Sequence, residues 1–321
     1  ENARREKPIT AVKLCITVIS TVFNVDMDDS DGCLGEVLFE SFNIINDKIE
    51  NSPLTDDEKK QLFQILSKES DRKKYEGWHD FKLDFLSSCI SLCDISPLRY
   101  NLEEKLDKML DNCKEKDSIS GEIKKIKYEL IKRYGSEREA MLFVNRNLDD
   151  ENFRKIAIES ALNDEDYDYA LELLSKLSIE KQNLIEWLKY RLSAYEGKKD
   201  TEKFKETLIK LIISGEADFF LKYKMTCKES WESDLNILLN EFEKELKWYN
   251  LDTYIKVLIH ENLQDKMVML CQNELYYVTE LCYYLDEEHK PQAKTLFEKY
   301  IMTEAKEAYD RKGYQNVCGL I

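Results

Sequence analysis

Residues 24–36, NVDMDDSDGCLGE, set five carboxylates and two glycines into thirteen positions of a chain that has nine glycines in all. Oxygen ligands at that density are what a hard divalent cation needs, so a calcium loop is the first chemistry to test. Such a loop requires ligands at positions 1, 3 and 5, a glycine at 6 and a glutamate at 12. Starting at Asp26 puts Asp31 in the glycine position and Val37 in the glutamate position; starting at Met27 loses the first ligand and ends on Leu38. Both registers fail. The segment is expected to be a capped turn, with Asp28, Asp29 or Ser30 capping a helix that begins near Leu34 and with Gly32 and Gly35 permitting the bend.

Cysteine and histidine are the next candidates. The nine cysteines (15, 33, 89, 93, 113, 227, 271, 282 and 318) form no CxxC pair and are odd in number. Cys89 and Cys93 share a helix face at i and i+4, and Cys271, Cys282 and His289 lie within twenty residues, but no second close pair completes a tetrahedral zinc set. Reduced, mostly buried thiols are expected. The three histidines are His79, His260 and His289. His79 adjoins Asp80 and His260 adjoins Glu261, but neighbours in a helix point about 100° apart, so neither is expected to form a catalytic pair. No GxSxG, HExxH, GxxxxGKS/T or GxGxxG occurs. No catalytic, cofactor-binding or metal-ligating residue is assigned, and the chain is expected not to be an enzyme.

Two further groups point to recognition. The run KKIKYELIKRYGSER places Lys124, Lys125, Lys127, Lys132, Arg133 and Arg138 against the sign of the whole chain, interleaved with Glu122, Glu129 and Glu137 nearby. A solvated helix face laced with ion pairs is the plain expectation, and a nucleic-acid patch made of Lys124, Lys125, Lys127, Lys132 and Arg133 is the alternative. Aromatic residues occur on consecutive positions, among them Trp248 with Tyr249, Tyr276 with Tyr277, and Tyr283 with Tyr284. Side chains on adjacent positions cannot all face one core, so Trp231, Trp248, Tyr249, Tyr277 and Tyr284 are taken as candidate partner-binding anchors.

The elements that must position these groups are helical. Nine glycines and four prolines in 321 residues are too few for a many-stranded fold, which needs residues that accept positive φ at its turns. The stretch at 9–23 is rich in β-branched residues, but Val12, Ile16, Ile19 and Phe23 keep helical spacing. Residues 34–49 give a second helix, and Thr55 three positions before Glu58 opens a third with a capping box. A helix is expected from Trp78 through Cys93, ended by Pro97. Segments 102–110 and 119–134 follow.

From about residue 136 the helices shorten, separated by NDED, SIEK and EGKKD. Connectors this short force antiparallel neighbours, the helical hairpin of solenoids. Ala157, Ala161 and Ala170 fall where such helices cross. Leu235, Leu238, Leu239, Phe242, Leu246 and Tyr249 form one stripe. The pattern yields about sixteen to eighteen helices and no strand. The expected fold is all-α, an elongated α-α superhelix of degenerate TPR/HEAT-like hairpins. A soft boundary near Gly135 separates residues 1–134, an N-terminal helical bundle, from residues 135–321, the repeat region, with which the first part is either continuous or separate.

Net charge is −16, which opposes extended contact with phosphate backbones or an anionic leaflet. No run approaches eighteen apolar residues and no charged-then-apolar leader opens the chain, so a cytoplasmic protein is expected. Because it starts at Glu1 without methionine and stops within a helical pattern, it is expected to be a piece of a longer protein.

The ordered strings IAIESALNDEDYDYALELLSKL, KFKETLIKLIISGEADFFLKYKMTCKESW, YIKVLIHENLQDKMVML and YIMTEAKEAYDRKGYQNVCGLI resemble the long helical region of bacterial proteins that carry a SWIM-type zinc finger near the N-terminus. DMDDSDG followed by GWHDFKLDFL is similar to the segment preceding those helices. The likeness spans most of the chain and rests on spaced apolar and aromatic positions. The family's finger is a CxC followed by a distant CxH, and neither pair occurs here, so no zinc ligand is placed on this chain. The resemblance implies a helical platform behind an upstream finger that binds nucleic acid or protein. The expected function is a non-catalytic scaffold for an unidentified protein partner. The alternative is a nucleic-acid-associated module acting through the missing finger and the Lys124–Arg138 patch.

Overall fold

The structure, a computed structural model, describes residues 2–23, 32–113 and 118–320. Among them are twenty α-helices, seventeen of nine or more residues, with five short 3-10 turns and no strand. The fold is all-α. Cα packing divides the chain into two compact units, Glu1–Ala157 and Ile158–Ile321. Gly135, where helix lengths change in the sequence, lies between two helices that pack on each other within the first unit.

The first unit contains α1 (Asn2–Arg5), α2 (Pro8–Val22), α3 (Cys33–Asn51), α4 (Asp56–Ser70), α5 (His79–Ser88), α6 (Ser96–Asp111), α7 (Ser118–Tyr134), α8 (Glu137–Arg146) and the start of α9 (Glu151–Asn163). Burial of Ala11, Val12, Cys15, Ile16 and Ile19 along one face of α2 holds this β-branched segment helical, the apolar spacing outweighing its strand propensity. It packs against Ile45 and Ile49 of α3 and a core that includes Leu62, Leu66, Phe85, Leu102, Ile123 and Leu130. At α4 the Thr55 side chain accepts from Glu58 N–H while Thr55 N–H donates to Glu58 Oε2 at 2.9 Å, the reciprocal capping box. Ser136 and Glu139 repeat it at α8.

Three local expectations are corrected. The helix from Trp78 does not run to Pro97: α5 ends at Ser88, residues Ile90–Leu92 tighten into a 3-10 turn, and Pro97 sits in the first turn of α6. Proline lacks the N–H that a first turn leaves unused, so it starts this helix rather than stopping the one before. Gly32, at φ +75°, is the N-cap of α3 and contributes no side-chain cap, whereas Gly35 lies inside the helix; Asp28, Asp29 and Ser30 lie outside the described residues, as does the Asp26–Asp31 loop. Leu246 and Tyr249 leave their stripe because the helix that carries it, α15 (Trp231–Glu245), stops short of them.

The second unit holds the rest of α9, then α10 (Tyr167–Ser175), α11 (Ile179–Gln182), α12 (Ile185–Lys198), α13 (Thr201–Ile213), α14 (Phe219–Cys227), α15 (Trp231–Glu245), α16 (Leu251–His260), α17 (Gln264–Asn273), α18 (Val278–Leu281), α19 (Lys290–Glu307) and α20 (Arg311–Leu320). Helix α13 is in contact with α12, α14, α15 and α16. The two-residue connector before it works because Lys199 takes a left-handed conformation and Asp200 accepts from Lys203 N–H at 3.2 Å. Consecutive helices α12, α13 and α14 pack as hairpins across short connectors. Alternate helices α13 and α15 run parallel: Lys205 Nζ meets Asp234 at 2.7 Å near their N-terminal ends, and Asn250 joins Ile213 O at 2.8 Å to Glu245 O at 3.0 Å near their C-terminal ends. Parallel alternate helices fit a helical-repeat arrangement.

A candidate docking groove between parallel helices

Helix α13 carries two apolar faces. Phe204, Leu208, Leu211 and Ile212 are buried in the core of the unit. At about 100° per residue, Ile209 and Ile213 point well away from Phe204 and toward the flank of Glu206, half-buried and packed against the edge of that core. Helix α15 repeats the pattern: Leu238, Leu239 and Phe242 are buried, whereas Ile237, about 200° round from Leu235, is 49% exposed on the flank that Glu241 and Glu245 continue.

Between these flanks lies an open trough of about 590 Å3 with Leu188 at its base. Ile209, Ile213, Ile237 and Tyr249 line it, and Glu206, Glu241, Glu245 and Lys210 supply its charges. The register fixed by the two ties puts Glu206 toward one end, Ile213 and Glu245 toward the other, and Ile209 and Ile237 between.

The far end is held by a polar staple. Asn250 is fully buried; its Nδ2 donates to Ile213 O at 2.8 Å and Glu245 O at 3.0 Å, and its Oδ1 accepts from Lys247 N–H at 2.8 Å. Those carbonyls belong to helix C-termini that lack intrahelical partners, so the amide satisfies groups otherwise left orphaned. Thr253 Oγ1 donates to Gly215 O at 3.0 Å. Gly215 has φ +101°, and a Cβ there would lie 2.8 Å from Tyr249 O, so only glycine lets the chain pass at this distance. Tyr249 is thereby set at the trough's mouth, with Trp248, 87% exposed, edge-on to it at 5.8 Å.

Three carboxylates face one ammonium around the trough. Glu241 is paired with Lys244 at 2.6 Å, whereas Glu206 and Glu245 form no ion pair among the described residues. Negative potential therefore gathers over an apolar floor.

The other candidate residues are placed differently. Trp231 is half-buried: its ring meets Phe220 at 5.7 Å and Tyr223 at 5.9 Å, Lys224 lies over it, and its Nε1 donates to Glu261 Oε2 at 2.9 Å. Tyr277 packs on Tyr276 and the core of the second unit. Tyr284 is exposed, and its carbonyl accepts from Gln264 Nε2 at 3.2 Å. The groove thus brings together Trp248 and Tyr249 and leaves the other three apart.

In the basic run, Lys127 pairs with Asp107, Lys125 with Glu122 at 2.7 Å, and Arg133 with Glu50 at 3.6 Å while it donates to Ser91 Oγ at 2.8 Å. Lys132 lies over the Tyr128 ring at 5.8 Å. Lys124 forms no ion pair among the described residues. Most of the positive charge is therefore spent inside the first unit.

Ionisable groups in the second unit form static networks. Burial works to raise the Asp234 carboxyl, but hydrogen bonds from Lys205 and Ser230 outweigh it and hold the group below its usual range. Burial pushes the Cys227 thiol up to about 11, and Asp234 adds to the rise, so this cysteine is a thiol rather than a nucleophilic thiolate. His260 Nδ1 and Glu261 Oε1 are 2.8 Å apart, so these chain neighbours meet in a hydrogen bond. Helix α16 ends at His260, which frees Glu261 from helical geometry to fold back. Burial would raise the Glu261 carboxyl; contacts from Lys224, Trp231 and His260 bring it below its usual range. Among the described residues no group of three His, Cys, Asp or Glu is placed to hold a metal ion, and no helix is long and apolar enough to cross a membrane.

In the first unit a second trough, about 710 Å3, lies between α2 and α3 and is lined by Leu14, Val18, Val37 and Ile44 with Glu36 and Glu40. Its carboxylates are partly engaged, Glu40 pairing with Arg4. Compared with known proteins, the chain matches no family model, no curated protein and no solved structure.

Proposed function

We propose that the chain is a non-catalytic helical scaffold for protein–protein interaction, built as degenerate TPR/HEAT-like hairpins, and that the trough between α13 and α15 is a docking surface. The observation that carries this reading is the pair of out-of-phase apolar faces: Ile209 and Ile213 on one helix and Ile237 on its parallel neighbour, converging beside Tyr249 and Trp248. Apolar side chains left exposed, as Ile237 is, or half-buried at the edge of the core, as Ile209 and Ile213 are, and gathered in a concave surface favour a partner's side chains over solvent. The resemblance to the helical region of SWIM-type zinc-finger proteins supports the same reading, with the finger supplied from upstream. The internal pairing of Lys125, Lys127 and Arg133 favours a protein partner over nucleic acid.

The test is a photo-crosslinking residue placed at Ile237 in host cells, with and without Ile209→Asp. A discrete protein adduct that disappears with the second substitution supports the scaffold. Adducts that are absent, or unmoved by Ile209→Asp, count against it.

A further inference from the structure

We infer that the occupant of the α13/α15 trough is a basic amphipathic helix, an inference that rests on the docking function proposed above and adds the chemistry of the partner. Its geometry follows from two parallel rails. From Glu206 to Ile213 on α13, and from Ile237 to Glu245 on α15, each rail rises about 11–12 Å, two turns of helix. A third helix laid along them presents apolar side chains at i, i+3, i+4 and i+7, the spacing that fills a groove floored by isoleucines.

The flanks define the sign. Glu206 stands toward one end and Glu245 toward the other, with Lys210 the one basic group among the lining residues. Lysine or arginine on both shoulders of the incoming helix meets these carboxylates, whereas an acidic helix is repelled at both. A second copy of this chain is disfavoured as occupant. Its net charge is −16, and three of the five basic candidates of its lysine-rich helix α7 are engaged in ion pairs.

Affinity is measured by fluorescence anisotropy with two labelled helical peptides of about sixteen residues, long enough for four turns. One carries leucine at every third and fourth position and lysine elsewhere; its mirror carries glutamate in place of lysine. The basic peptide is expected to bind, more weakly as salt rises, and the acidic mirror is expected not to bind. Glu206→Lys with Glu245→Lys weakens the basic peptide by about tenfold or more and favours the mirror.

Two controls separate the trough from the chain's general acidity. Glu298→Lys with Glu307→Lys makes the same change in net charge on exposed positions of α19 and leaves binding unchanged. Ile237→Asp adds a negative charge, yet weakens the basic peptide by about tenfold, because it removes an apolar contact.

The inference is overturned if both peptides bind alike, if the α19 variant weakens binding as much as the trough variant, or if Ile237→Asp strengthens it. Absence of basic-peptide binding also overturns it. If Ile237 adducts still form in cells, the docking function stands and only the basic helix falls; if no adducts form, both fall.

Discussion

Replacing Asn250 tests whether a single buried amide holds the trough's two rails together. The side chain is fully buried and makes three hydrogen bonds, to Ile213 O, Glu245 O and Lys247 N–H. Each such bond contributes about 0.5–1.5 kcal/mol net, and Asn250→Ala leaves two carbonyls and one N–H without that partner, so the loss comes to about 2–4 kcal/mol. For a unit of this size that lowers the Tm by roughly 5–15 °C.

Asn250→Asp keeps the shape but replaces the donating NH2 with an acceptor oxygen facing two carbonyl oxygens. It is expected to destabilise at neutral pH at least as much as alanine. Thr253→Val removes only the bond to Gly215 O and costs about 1 kcal/mol. Asn240→Ala, at an exposed position on α15, is the control and is expected to shift stability by less than about 0.5 kcal/mol. The assay is thermal unfolding followed by circular dichroism. A fall of less than about 1 °C for Asn250→Ala, well below the range expected for one such loss, would refute the assignment of the staple.

Three further outcomes are expected. Gly215→Ala forces an L-residue to φ +101° and a methyl group to within 2.8 Å of Tyr249 O, costing about 1–3 kcal/mol by urea titration; an unchanged midpoint would contradict the close approach. Glu261 has a depressed carboxyl pKa in the folded chain, so its contribution is present above the unfolded pKa of about 4.3 and is lost as pH falls through the folded value. Glu261→Gln should therefore lower stability at pH 7 by about 1–2 kcal/mol, discounted for solvent screening, with the gap to the unsubstituted chain closing in acid; a gap that is constant down to pH 3 speaks against the ion-paired carboxylate. The His289 imidazole is raised by its hydrogen bonds to Asp286 and then Asp265, so its contribution is complete below about pH 6.5 and is lost as pH rises through the folded value. Amide protection in residues 284–290, corrected for the intrinsic rise of exchange with pH, should fall across that window, and His289→Gln should abolish that fall.

Local patterns carried most of the fold. The capping box at Thr55 and Glu58 is two residues at a fixed offset, and the buried face of α2 is a period that survives its β-branched content. What was not legible depends on partners remote in sequence. Trp231 stands among the aromatics that cannot all face one core, but its Nε1 is satisfied by Glu261, thirty residues on. The basic run looks like a patch until Arg133 meets Glu50 and Lys127 meets Asp107. Pro97 is ambiguous in the sequence because proline both stops and starts helices, and only the turn at Ile90–Leu92 decides which. The trough had a local signal that core stripes hide: Ile209, Ile213 and Ile237 are apolar residues out of phase with their own helices. That signal alone does not show that α13 and α15 lie side by side, a fact set by α14 folding back between them.

On the reading proposed above, the chain recognises a partner in the trough between α13 and α15. Hydrogen-exchange footprinting with the basic amphipathic peptide tests it most directly. Slowed exchange confined to residues 206–215 and 237–250, with α2 and α3 unchanged, is expected. Protection that falls elsewhere, or none at saturating peptide, would contradict it.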